Sequence, residues 1–157
     1  TSIFISMLIM LNAFAAGSSD SGSSKTKTQY DMAVSHINAA KKFEKNENLK
    51  KAKKRYEKAQ KLLIQSNKKF PNKADTLNYL GFTTRKLGDY DNGEKYYLQG
   101  LAIDPNHKGI NEYLGELYVA TNRHNLAIER LEVLKNCNCK EYDDLKAIIA
   151  GEKVSKY

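Results

Sequence analysis

Leu77-Asn78-Tyr79-Leu80-Gly81-Phe82-Thr83-Thr84-Arg85-Lys86-Leu87-Gly88-Asp89-Tyr90, running on to Tyr97 and closing at Asp104-Pro105-Asn106, is the stretch that decides how this chain folds. Its Leu80-Gly81 pair returns 34 residues later as Leu114-Gly115. Self-similarity at a fixed period of this length marks a structural unit that stacks on copies of itself, because one unit cannot bury its apolar stripe alone. The chain has only two prolines and long Lys/Glu/Leu/Ala-rich stretches, so the units read as helices rather than strands. At 157 residues, with 41% hydrophobic and 28% charged side chains, there is room for one ordinary globular domain.

The Leu-Gly pair, the Gly88-Asp89-Tyr90 turn, Tyr97 and the terminal Asp104-Pro105-Asn106 resemble a tetratricopeptide repeat over its whole length. The family's usual small Ala positions are filled by Gly93 and Gly100, and its first aromatic anchor is replaced by Leu77 and, in the next unit, Asn111. The second unit keeps Leu114-Gly115, Tyr118 and Ala127 but reads Asn122-Arg123-His124 at the turn. An earlier unit is more degenerate: Ala52, Tyr56 and Ala59 keep the second-helix spacing, and Ala39-Ala40 stands where Leu-Gly would be. Because the proline comes at Pro71, its second helix is expected to be about two turns longer than usual, the alternative register placing the extra residues in the first helix.

The resemblance implies an all-α fold, a right-handed superhelix of about three stacked helix hairpins plus a C-terminal capping helix. Helices are expected near 28–46, 48–69, 73–86, 90–103, 107–120, 124–135 and 140–150. The corresponding division is a helical-repeat domain over 28–150, comprising a degenerate repeat 33–72, repeats 74–107 and 108–138, and a cap 140–150. A signal peptide over 1–16 and a flexible linker over 17–27 precede it, and a tail over 151–157 follows. The leader reading rests on the apolar run Ile3 to Phe14, too short to span a bilayer comfortably, and on Ala13-Phe14-Ala15-Ala16, which offers a small-x-small cleavage pattern. An uncleaved anchor is the alternative. The Gly/Ser run from Gly17 to Ser24 reads as linker. The chain is also similar to short exported tetratricopeptide proteins of Gram-negative bacteria, through Leu80-Gly81-Phe82, Arg85-Lys86-Leu87-Gly88, Glu112-Tyr113-Leu114-Gly115-Glu116-Leu117-Tyr118 and Cys139-Lys140-Glu141-Tyr142. Periplasmic or secreted localisation is expected.

A superhelix of this family binds along its concave face, lined by the first helix of each hairpin. The inward side chains in that register are Asn78, Phe82, Arg85 and Lys86, then Glu112, Glu116 and Val119. A groove with one aromatic, a basic pair and a facing acidic pair suits an extended or helical peptide. The alternative is that Arg85 pairs with Glu116 and the groove neutralises itself. Phe82 and Glu116 occupy places where the family's carboxylate clamp needs Asn or a cation, so that clamp is absent.

The net charge of +8 is concentrated from Lys41 to Lys73, where thirteen Lys or Arg face three Glu. Such a stretch can meet an anionic partner, but its lysines spread around much of the helix and aromatic residues for base stacking are lacking. It reads as a solvated face, and no nucleic-acid partner is expected. Cys137-Asn138-Cys139 admits three readings: a local disulfide, an intermolecular bond, or two ligands of a metal. A disulfide between Cys137 and Cys139 is favoured, since His36, His107 and His124 are dispersed and no metal set assembles. No nucleophile elbow, phosphate loop or His-Glu-x-x-His pattern occurs, so neither catalysis nor a cofactor is expected. The sequence favours a non-catalytic, exported adaptor that holds a protein or peptide, with no integral membrane segment once the leader is removed. A structural component of a cell-envelope assembly, associating through the basic N-terminal hairpin, is the second reading.

Overall fold

Seven helices carry the described residues: α1 (Gln29–Lys45), α2 (Leu49–Lys69), α3 (Ala74–Lys86), α4 (Tyr90–Ile103), α5 (Lys108–Ala120), α6 (His124–Leu134) and α7 (Lys140–Ile149). The computed structural model describes residues 27–154. The expected signal peptide, all of the expected linker but Lys27, and residues 155–157 of the tail lie outside the described residues. Among the described residues there is no strand, and the helices begin and end within about two residues of the expected bounds.

Helices pair as α1 with α2, α3 with α4, and α5 with α6, through connections of three residues. Each pair then stacks on the next through α2 on α3 and α4 on α5, while α7 closes the row against α5 and α6. The three short connections share one device. Glu47, Gly88 and Asn122 each take a left-handed backbone, with φ of 57°, 95° and 59°. Glycine and asparagine adopt it readily. The change from Gly-Asp-Tyr to Asn122-Arg123-His124 therefore keeps the turn, because Asn122 supplies the conformation of Gly88. The new Arg123 gives its helix no side-chain cap. Instead its guanidinium donates twice to the Glu94 carboxylate, at 2.9 and 2.7 Å, and joins the second hairpin to the third.

α2 is the long helix anticipated from Pro71, at 21 residues against 14 for α4. Ala52, Tyr56, Ala59, Leu63 and Ser66 are buried at alternating spacings of four and three, which is one helical stripe. The lysines occupy the rest of its circumference.

One interlock recurs between hairpin partners. A side chain added at Gly81 would stand 2.5 Å from the Tyr97 ring, so only glycine lets α3 and α4 close on that tyrosine. In the first hairpin Ala40 and Tyr56 hold the same separation along the chain, and both are fully buried. The third hairpin breaks the rule. Gly115 is met by Leu145 of α7, 2.6 Å from where its Cβ would be, so the closing helix supplies the large side chain. Asn111, standing where the family carries an aromatic, is fully buried and satisfied: its amide donates to Pro105 O and His107 O at 3.0 Å.

Two apolar clusters result, one around Ile37, Tyr56, Leu63, Leu80 and Phe82, the other around Tyr97, Ile110, Leu114 and Leu117. Tyr113 packs against both. Each large side chain buried this way contributes about 1.5–3 kcal/mol of transfer free energy before entropy is charged against it.

Candidate functional site

A cleft of about 710 Å³ lies between α1 and α7, with α5 along its floor. Lys41, Lys42, Glu44 and Lys45 form the α1 wall. Glu112, Tyr113 and Glu116 form the floor, and Lys140, Asp144, Ile148 and Lys153 face them from α7 and beyond. Two first helices, α1 and α5, and the closing helix α7 thus converge on one hollow.

The residues expected to line the groove divide into two groups. Glu112 and Glu116 line the cleft. Phe82 and Arg85 are buried beneath it, and this corrects the expectation that they stand open to a partner. The reason is that α1 lies over α3: Lys41 Nζ sits 4.7 Å above the Phe82 ring, and Tyr56 and Tyr113 pack at its edges. Arg85 donates through Nη1 to Tyr113 O at 2.7 Å and through Nη2 to Glu116 at 3.2 Å. The anticipated Arg85–Glu116 pair is therefore formed, and that part of the groove neutralises itself. Lys86 is drawn back to Glu44 of α1 in an ion pair. Asn78 is buried and opens onto a neighbouring hollow instead. Val119 is half-buried against the second apolar cluster and lines neither hollow.

Lys41, Lys140, Asp144 and Lys153 were not anticipated. A signal for Lys41 exists: it follows Ala40 as Phe82 follows Gly81 and Glu116 follows Gly115, so the three occupy one row across the stack. Nothing in the 34-residue pattern announces α7, because its helix belongs to no recognisable repeat.

Electrostatically the floor and walls are under tension. Burial pushes the Glu112 carboxyl up to about 8, reinforced by the charges of Glu116, Asp144 and Glu141 and opposed by Lys140. Burial also raises Glu116, against the pull of Arg85. Across the cleft, burial lowers the Lys41 ammonium although Glu112, Glu116 and Glu44 favour its charge. Its Nζ donates to the Tyr113 hydroxyl at 3.3 Å and meets no carboxylate within ion-pair distance among the described residues. Asp144 is the settled member: burial pushes it up, but bonds from Lys140 and Lys153 hold it below the usual range.

Cys137 and Cys139 are joined in a disulfide, with Cα atoms 5.1 Å apart and Asn138 between them in a left-handed conformation at φ 45°. The bridge closes the turn that delivers Cys139 to the N-terminus of α7. No group of three or more His, Cys, Asp or Glu placed to hold a metal occurs among the described residues. None of the described helices is long and apolar enough to cross a membrane.

Residues 74–107 match the family model described as tetratricopeptide repeat, and these are the residues of α3, α4 and their flanking turns. No curated protein matches the chain. Repeats of this kind generally serve protein–protein interaction and are generally non-catalytic. The chain therefore carries a tetratricopeptide repeat, formed by α3 and α4 at the middle of an all-helical stack.

Proposed function

We propose that the chain is a non-catalytic adaptor that holds a peptide or protein segment in the cleft between α1, α5 and α7. The observation that carries this reading is the cleft itself, a concave hollow of about 710 Å³ on the repeat stack whose Lys41 and Glu112 have no ion-pair partner among the described residues. A half-buried ammonium and a buried carboxyl held back from ionising disfavour the empty state and are relieved by a ligand carrying both donors and acceptors. An extended segment offers both along its backbone. Leu49, 67% exposed at the rim, adds an apolar contact. Export to the periplasm or beyond belongs to the same proposal and is supported by the Ile3–Phe14 run and the Ala-x-Ala pattern after it.

A second reading has its own support. Lys50, Lys51, Lys53, Lys54, Lys58 and Lys61 are all exposed on α2, and no ion pair to them forms among the described residues. A face of that kind suits a structural role against an anionic envelope component.

One experiment separates the two. A photo-cross-linking residue is placed at Leu49 or Val154 on the cleft rim, or at Lys61 on the outer face, in intact cells that are then fractionated. The adaptor reading expects discrete adducts from the rim sites, in the periplasmic or secreted fraction. These should fall by about tenfold in K42E/K45E and survive in K53E/K54E/K58E, as rim charges steer association. Adducts from Lys61 alone, lost in the triple variant, would favour the structural reading. Adducts confined to the cytoplasm would overturn export.

A further inference from the structure

Beside the main cleft, and sharing Glu112 and Tyr113 with it, lies a smaller hollow of about 460 Å³ walled by α3, the α4–α5 turn and the start of α7. Two acceptors of buried residues border it. Asn78 is 6% exposed, and its Oδ1 has no hydrogen-bond partner. Glu112 is 9% exposed and makes no hydrogen bond or ion pair among the described residues. Asp104 and Glu141 stand at the same hollow, and Lys108 is its one lysine. A chain with net charge +8 has here a pocket where carboxylates outnumber cations.

The neighbouring cations are committed elsewhere. Arg85 holds Glu116 and Tyr113 O, Lys86 holds Glu44, and Lys140 and Lys153 hold Asp144. Lys41 rests on the faces of Phe82 and Tyr113. His107 spends Nε2 on Asp75 at 2.9 Å and Nδ1 on the Ile110 amide at 3.1 Å. Lys108, at the first position of α5, is exposed. A buried amide oxygen without a donor is costly, and a carboxyl in the same surroundings is held back from ionising. A neutral N–H satisfies the amide and leaves the carboxyl protonated. A cation satisfies the amide and stabilises the ionised carboxylate.

We infer that this hollow seats a lysine or arginine side chain of the bound segment, its head group donating to Glu112 and Asn78 Oδ1. The inference rests on the peptide-binding reading of the cleft and names the chemistry of the residue that anchors there. It also carries a thermodynamic signature. With its carboxyl raised to about 8 in the empty hollow, Glu112 holds a proton at neutrality, and an arriving cation expels it. Glu116, Glu141 and Asp144 work to keep that proton, while Lys140 works to release it.

The test uses the full chain and two capped pentapeptides, acetyl-Gly-Gly-Lys-Gly-Gly-amide and its norleucine counterpart. Binding is followed by NMR at the Glu112 carboxyl carbon and the Gly109 amide, and by calorimetry in two buffers of different ionisation enthalpy. The lysine peptide should bind about tenfold more tightly than the norleucine peptide and release a fraction of a proton at pH 7. E112Q should equalise the two peptides, with circular dichroism confirming that the variant is folded. N78A should weaken the lysine peptide several-fold while leaving proton release in place. Equal binding of the two peptides would overturn the cationic anchor and leave the peptide cleft standing. No perturbation at Glu112 or Gly109 by the lysine peptide would also overturn the anchor, and the cleft would then be judged by the rim cross-links alone.

Discussion

At the scale of single residues, Glu112 sets the pH behaviour of the fold. Its carboxyl is free to ionise near 4.5 in the unfolded chain but is raised to about 8 by burial in the folded one. A folded pKa above the unfolded value means that the native state binds the proton more tightly. The stabilisation is therefore complete below about pH 4.5 and is lost as pH rises through about 8. Each unit of such a difference corresponds to about 1.4 kcal/mol. Over that window the native chain should lose stability relative to E112Q, by an amount on the order of a few kcal/mol. Denaturant unfolding of both proteins at pH 5, 7 and 9 measures it. Parallel pH profiles for the two would refute this assignment. Glu116 and Lys41 face the same hollow and remain in both proteins, so the difference reports Glu112 together with its coupling to them.

At the scale of elements, the first hairpin is the imperfect copy. Glu47 occupies the left-handed turn position that Gly88 and Asn122 fill elsewhere, and a side chain with a Cβ pays about 1–2 kcal/mol there. Glu47→Gly should raise stability by roughly 0.5–1 kcal/mol, less than the full strain because glycine also loosens the unfolded chain. Thermal unfolding would show a rise of a few degrees, and an unchanged or lower midpoint would count against strain at Glu47. The same hairpin shows what was readable in advance. Ala52, Tyr56 and Ala59 gave its second helix and Pro71 gave that helix its extra length, since both follow from helical periodicity and the geometry of proline. The pairing of Arg85 with Glu116 could also be anticipated, as the two sit 31 residues apart on the neighbouring first helices α3 and α5. The burial of Phe82 and Arg85 could not. It depends on α1 lying over α3, hence on aligning Ala40 with Gly81 across a unit of irregular length. The closing helix was expected over 140–150, but its side chains as a cleft wall were out of reach for a plainer reason: Lys140, Asp144 and Ile148 repeat nothing.

At the scale of the whole molecule, charge and shape are separated. The basic surplus lies on the outer face of α2, while the carboxylates gather where α3, α5 and α7 converge, so long-range attraction and local recognition favour partners of different sign. The placement of Leu145 against Gly115 has a further consequence. A row of like units has no intrinsic terminus, and its last member presents the surface on which another could add. Here the side chain that fills that surface comes from α7, a helix outside the repeat pattern, so the α5 edge is covered by a side chain of another kind. A chain ended at Lys135 would lose the burial of Leu145 and Ile148, on the order of 3–6 kcal/mol, and bare the α5 edge. Sedimentation velocity should then find association that rises with concentration, where the intact chain keeps one sedimentation coefficient. A truncated chain that sedimented like the intact one would show that α7 is an ornament rather than a terminator.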